Sequence, residues 1–237
     1  MILLKAIGEP IEKLRKIVAS GLVRIGVTPN VLTVIGFLIN IGAGGFFAFG
    51  HFGWAVVMII FSSAFDMLDG SVARLSGKTS HFGAFFDSSL DRYGDIAIFG
   101  GVIVHFLRAG NDLLVILGIA SLLGSLLISY TRARAECFIA SCKVGFFERG
   151  ERLVTLMCSA VTGNMAAALW ILAILTQWTV IVRIHHTWRT LTGRPVPPTN
   201  TFNGQLYHIL FWDFRRKSIQ FDIMALTTAA CALWLPL

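Results

Sequence analysis

Charge is what this sequence has least of. Only 14% of its 237 residues are Asp, Glu, Lys or Arg, where a soluble domain carries about 25%. Acidic residues are the scarcer sign, 13 against 20 Lys+Arg, for a net charge of +7. Cysteine is nearly absent: there are four, at 137, 142, 158 and 231, with no CxxC pair and no Cys/His cluster. That excludes a disulfide scaffold and a zinc or redox motif, and leaves the thiols as small apolar fillers. No internal repeat or low-complexity segment occurs, so collagen, coiled coil and disorder are excluded too. What remains is apolar: 55% of residues are hydrophobic and mean hydropathy is +0.73, which a water-facing surface does not tolerate. The 23 Gly and 19 Phe suit packed membrane helices, where small residues let backbones approach. Few basic residues are left for a soluble nucleic-acid face, so no nucleic-acid partner is expected.

Crossing a bilayer core takes roughly 20 apolar residues. Apolar runs cover residues 31–50, 54–68 (continuing as helix toward Arg74), 83–107 and 113–129. A fifth begins after Arg152, and a sixth ends near Val182, with Gly163-Asn164 as the only break between them. Basic residues test this layout, since cytoplasmic loops collect Lys and Arg. They cluster before the first run, at Arg74 and Lys78, from Arg132 to Arg152, and after Arg183, whereas the opposite loops hold only Arg108. Six spans with both ends in the cytoplasm are therefore expected, in an all-α, multi-pass cell-membrane protein. The opening MILLKAIGEPIEKLRK has an apolar run of four residues, short of the about 7–15 of a secretory signal, so the spans themselves are expected to direct insertion.

Residues 8–27 place Ile11, Leu14, Ile17, Val18, Leu22 and Ile25 at helical spacing opposite a charged face, the pattern of a helix lying in the membrane interface. Thr28-Pro29-Asn30 then breaks the helix and turns the chain inward. Residues 193–204 are turn-rich and read as a linker, dividing a membrane domain of 1–192 (juxtamembrane helix 1–28, spans 31–190) from a tail of 193–237. Within the tail, 222–237 is apolar but only about 15 residues long, and reads as a short or interfacial helix.

Acidic residues inside spans are costly and usually functional. Five fall within thirty residues: Asp66, Asp69, Asp87, Asp91 and Asp95. Asp66, Asp69 and Ala73 share one helix face, and Asp87, Asp91 and Asp95 one face of the next. Clustered carboxylates raise one another's pKa, so they either share protons, as in an ion transporter, or bind divalent cations. Oxygen-only ligands select Mg²⁺ or Mn²⁺, and four carboxylates suit two ions clamping phosphoryl oxygens. Gly70 permits close approach to backbone, and Arg74, one turn on, is placed to hold a phosphate. Metals, glycine and arginine together describe a diphosphate site. The acids lie toward one membrane side, which favours an enzyme over a transporter.

The spacing D-x2-D-G-x2-A-R-x8-G-x3-D-x3-D is met by Asp66, Asp69, Gly70, Ala73, Arg74, Gly83, Asp87 and Asp91. On these residues the sequence resembles the CDP-alcohol phosphatidyltransferase family over about 20–190. The resemblance implies transfer of a phosphatidyl group from CDP-diacylglycerol to an alcohol, with release of CMP. It implies metal binding by Asp66, Asp69, Asp87 and Asp91, with Asp91 also the general base. The CDP-lipid pocket would use Asn30, Thr33, Gly70, Arg74 and Ser80, and a homodimer is implied. From the residues alone, Asn30 and Thr33 read equally as a helix cap.

Arg132, Arg134, Arg149 and Arg152 cluster after the fourth run, and Arg183 closes the sixth. Several arginines suggest a second anion besides the donor's diphosphate. The stretches Ser129–Glu136 and Glu148–Arg152, with Arg183, resemble the phosphatidylinositol-phosphate synthase branch, except that Arg132 stands where that branch commonly has Lys. The resemblance implies inositol phosphate as acceptor, its phosphate held by Arg132, Arg149, Arg152 and Arg183. Glycerol 3-phosphate, giving phosphatidylglycerophosphate, is the alternative.

Overall fold

The computed structural model describes residues 2–194, with side chains from Glu12 onward. Seven helices follow in order: α1 Ile2–Arg24, α2 Pro29–Ala48, α3 Phe52–Leu75, α4 His81–Arg108, α5 Asp112–Ala135, α6 Arg149–Thr162 and α7 Met165–Leu191. Among the described residues there is no strand. The predicted tail helix, and all but two residues of the predicted linker, lie outside the described residues.

Four helices, α2, α3, α5 and α7, are long and apolar enough to cross a membrane. The other two expected spans fall short for different reasons. α4 has the length, 28 residues, but carries Asp87, Asp91, Arg92 and Asp95 along it. α6 has only 14 residues, about 21 Å at 1.5 Å per residue. It also begins at Arg149, behind Glu148 as N-cap, rather than after Arg152 as expected. The Gly163-Asn164 break is where the sequence put it. Gly163 takes a left-handed conformation (φ 77°), open to glycine at no steric cost. The Asn164 side chain then caps α7 by accepting from the Ala167 N–H at 3.4 Å.

The chain divides into two compact units, 1–101 and 102–237. In the first, α1 packs Ala19, Leu22 and Val23 against Leu32 of α2 and Val72 of α3. Leu14, Ile17 and Val18 remain on its exposed side, at 62%, 67% and 40%. α1 starts at Ile2 rather than residue 8 and stops at Arg24, where Gly26 (φ 80°) lets the Val27 N–H turn back to the Leu22 carbonyl at 3.1 Å.

α2 and α4 meet backbone to backbone. A Cβ on Gly44 would strike the Ala97 carbonyl, and one on Gly101 would strike Gly44 itself. Gly45, next door, has open space around it. Gly44→Ala is therefore expected to force the helices apart, at the about 1–3 kcal/mol typical of overpacking. Gly45→Ala should be neutral or stabilising, since glycine within a helix costs about 0.5–1 kcal/mol relative to alanine. Thermal unfolding of the two variants in detergent checks the contrast, and equal midpoints would contradict the contact.

In the second unit, α5 and α7 are joined by polar as well as apolar contacts. Gln177 Nε2 donates to the Ala120 carbonyl at 3.2 Å, and the Ser121 hydroxyl donates to the carbonyls of Leu117 at 2.7 Å and Leu169 at 3.4 Å. Leu156, Leu169, Leu172 and Phe147 form its sealed core. Ala135, Ile139 and Cys142 make a smaller core beneath the 136–148 loop.

Candidate active site

The C-terminal third of α3 and the start of α4 hold the acidic cluster. A cavity of ≈ 240 Å³ opens between them and the start of α2. Asn30 and Thr33 of α2, Asp69, Gly70 and Arg74 of α3, Ser80, and Asp87 of α4 all line it. Every residue expected for the nucleotide pocket is thus on one wall or another of a single cavity. Lys78 and Thr79 line it as well; in sequence Lys78 is marked only as a basic residue of the loop between two runs.

Each side chain is held for a local reason. Thr33, one turn into α2, is buried; its hydroxyl donates to Asp69 Oδ2 at 2.8 Å, and it also lies 3.1 Å from the Pro29 carbonyl. The cap reading of this segment is not what the structure adopts. The N-cap position is Thr28, with no side-chain cap bond. Ser80 accepts from the Gly83 N–H at 2.9 Å, fixing the first turn of α4. A Cβ on Gly83 would sit 3.1 Å from Ser80 Oγ and 3.7 Å from Asn30 Oδ1, so glycine keeps that corner open. Arg74 reaches back to the Ser71 hydroxyl at 3.4 Å. The cavity therefore combines a guanidinium, an ammonium and the N-terminal turns of α2 and α4, whose helix dipoles favour anions, with the carboxylates of Asp69 and Asp87.

Asp66 and Asp91 do not line the cavity, but both are near enough to Asp69 to act on it electrostatically. A Cβ on Gly36 would lie 2.9 Å from Asp66 Oδ1, so that glycine makes room for the carboxylate. Asp91 lies 3.5 Å from Arg92. Asp95, the fifth acid, is fully buried in α4. The donor set is oxygen only, which is the chemistry of a hard divalent cation. As the side chains stand, no three Asp, Glu, His or Cys residues among those described form a closed metal cluster. Asp69 instead spends one oxygen on Thr33.

The arginines expected at the acceptor site belong to the second unit. Arg183 is 1% exposed; it donates from Nε to the Val144 carbonyl at 3.1 Å and from a terminal nitrogen to the Ile128 carbonyl. Arg152, also buried, donates to the Phe147 carbonyl at 3.2 Å. Both arginines thus brace the 136–148 loop. Arg132 is partly exposed and pairs with Glu136 at 3.2 Å and Glu148 at 3.8 Å. Glu148 also lies 3.6 Å from Arg183. Arg149 is half-buried at the start of α6. Glu136 and Glu148 were not expected from sequence as site residues, although the i, i+4 spacing of Arg132 and Glu136 was there to see. Partial burial alone would raise the Glu136 pKa, but the Cys142 N–H and the Arg132 guanidinium hold the carboxyl below its ordinary value. Arg183 also borders a cavity of ≈ 420 Å³ walled by Tyr130, Phe138, Ile184 and Trp188.

The described residues are helical, with membrane-length spans and this acidic pattern beside a cavity lined by Arg74 and Lys78. The signature of the CDP-alcohol phosphatidyltransferases matches residues 26–189, and the chain belongs to that family of membrane phospholipid-synthesis enzymes. It is 33% identical over 184 residues to the archaetidylinositol phosphate synthase of Pyrococcus horikoshii, covering 77% of this chain and 93% of that one. It is 35% identical over 202 residues to the phosphatidylinositol phosphate synthase of Mycolicibacterium smegmatis, covering 79% and 90%. Its fold is similar to a crystal structure of Mycobacterium tuberculosis phosphatidylinositol phosphate synthase with CDP-DAG bound. There the TM-score is 0.71 at 32% identity, over 74% of this chain and 94% of that one. The same mycobacterial protein has also been solved with manganese and citrate (TM-score 0.70).

Proposed function

We propose that this enzyme transfers the phosphatidyl group of CDP-diacylglycerol to inositol phosphate and releases CMP. The observation that carries the donor half is the single cavity gathering Asn30, Thr33, Gly70, Arg74 and Ser80 beside Asp69 and Asp87. The acceptor half is supported by the relatives' names. An archaeal and a mycobacterial synthase, similar to this chain to nearly the same degree, differ in the lipid part of the product and agree on inositol phosphate.

In this reading Arg74 and Lys78 neutralise the diphosphate, while Asn30, Thr33 and Ser80 orient the nucleotide through hydrogen bonds. Gly70 lets the chain approach it closely. When bound, Mg²⁺ or Mn²⁺ on Asp66, Asp69, Asp87 and Asp91 supplies Lewis-acid polarisation of phosphoryl oxygens. Asp91 takes the proton of the acceptor hydroxyl. That oxygen forms the new bond to the lipid-linked phosphorus as the bond to the CMP oxygen breaks. Arg132, Arg149, Arg152 and Arg183 supply positive charge for the acceptor's phosphate.

The reading extends to the membrane. α4 and α6 complete six spans, with the acidic cluster on the cytoplasmic side. α1 lies in the interface on Leu14, Ile17 and Val18, and two copies form a homodimer. The test is CMP release from CDP-diacylglycerol with a panel of alcohols. Inositol phosphate is expected to be the best acceptor, with free inositol and serine poor. Glycerol 3-phosphate outperforming it would make the enzyme a phosphatidylglycerophosphate synthase, and rapid turnover of unphosphorylated inositol would remove the phosphate pocket.

A further inference from the structure

The ≈ 420 Å³ cavity of the second unit differs in kind from the one beside the aspartates. It lies where α5 and α7 end, and Tyr130, Phe138, Ile184, Trp188 and Leu191 on its wall are all exposed. The polar groups between them are mostly engaged. The Thr131 hydroxyl donates to the Leu127 carbonyl at 2.7 Å, and the Thr187 hydroxyl to the Arg183 carbonyl at 2.8 Å, each on its own helix. Arg183 donates to the carbonyls of Val144 and Ile128. Soluble ligands are oriented in pockets by placed polar groups, and this wall offers few. Its volume falls within the about 300–1,000 Å³ of ligand pockets, and its lining suits a hydrocarbon chain.

The charge stands at the edge. Arg134, in the last turn of α5 and on the wall itself, lies over the Phe138 ring at 4.9 Å. Arg194, just after α7, lies over the Trp188 ring at 4.4 Å. Neither has an acidic partner among the described residues. A guanidinium held over a ring keeps in-plane N–H groups at its edge, where phosphate oxygens can meet them. The helix C-termini carry about half a negative charge each, less than the two full charges of the arginines. Tryptophan and tyrosine beside arginine at helix ends are also the composition of a bilayer interface, and α5 and α7 are both long and apolar enough to cross one. We propose that this cavity binds an anionic phospholipid of the surrounding bilayer, with an acyl chain in the apolar part and the headgroup phosphate on Arg134 and Arg194. The inference goes beyond the reaction proposed above and needs only that α5 and α7 cross the membrane.

The test follows the melting temperature of the full-length enzyme in detergent against added dioleoyl phosphatidylglycerol and dioleoyl phosphatidylcholine, which share their chains and differ in charge. Each arginine near an anionic lipid contributes a factor of about five. Phosphatidylglycerol is therefore expected to reach half its effect at about 5- to 30-fold lower concentration than phosphatidylcholine. Arg134→Gln combined with Arg194→Gln should remove most of that preference, and Arg134→Lys should keep it. The basic residues of α1 are intact in these variants, so a preference that survives the double substitution overturns the proposal, as does equal action of the two lipids on wild type. The occupant is read directly by photo-crosslinking, with p-benzoyl-phenylalanine in place of the exposed Tyr130. In nanodiscs holding equal amounts of the two lipids, the adduct found by mass spectrometry should be chiefly phosphatidylglycerol. An adduct chiefly to phosphatidylcholine overturns the charge recognition. An adduct to residues 195–237 or to a second copy of the chain assigns the cavity to the tail or to a dimer contact and overturns the lipid.

Discussion

Asp91→Asn is expected to leave CDP-diacylglycerol bound and to slow its transfer by at least about 10²-fold, the usual scale for loss of a general base. The amide fills the same space on α4 and can still face the neighbouring Arg92, 3.5 Å from the carboxylate in the wild type. What it lacks is an oxygen able to take the acceptor's proton. Asp91 also stands outside the lining of the cavity proposed to hold the nucleotide, so donor affinity should be little affected. Measuring donor binding and single-turnover CMP release on the same preparation separates the two effects. Near-normal transfer would assign the base elsewhere.

Chelation should have the larger effect still. With EDTA present, CMP release is expected to vanish, and Mg²⁺ or Mn²⁺ should restore it. Asp69 is buried at 7% exposure with Asp66 and Asp91 acting on it, and Asp87 lines the same cavity. A divalent cation among them would balance the gathered negative charge. Asp69→Asn should abolish turnover for the same reason, since a neutral amide is a poor ligand for a hard ion and here meets the Thr33 hydroxyl. Release that persists in EDTA would remove the metal from the mechanism.

The candidate site on α3 and α4 was legible because its pattern is written at short range. Asp66, Asp69, Gly70, Arg74, Gly83, Asp87 and Asp91 lie on two consecutive helices, and fixed spacing on a helix fixes direction. Asn30 and Thr33 needed the third helix: the Thr33 hydroxyl donates to Asp69 across helices, a contact that no spacing within α2 encodes. The arginines were legible as residues but not in their surroundings. Arg183 binds carbonyls 39 and 55 positions away in sequence, and Glu148 bridges Arg132 and Arg183 across a loop. No periodicity in residues 136–148 encodes those distances. α4 shows the opposite failure. Its length is written plainly in the sequence, but the charges that equip it for the site also dilute the hydropathy by which a span is recognised.

The shortness of α6 has a consequence for the lipid. Fourteen residues cover about 21 Å, against a hydrocarbon core of about 30 Å. In the six-span reading proposed above, Val154 and Val161, exposed along the helix, form an apolar flank shorter than the bilayer beside it. Such a mismatch is relieved by local thinning of the bilayer or by polar flanking groups reaching outward, at a fraction of a kcal/mol per ångström. On that reading an enzyme that makes membrane lipid is also sensitive to it, because bilayer thickness enters the energy of one of its own helices.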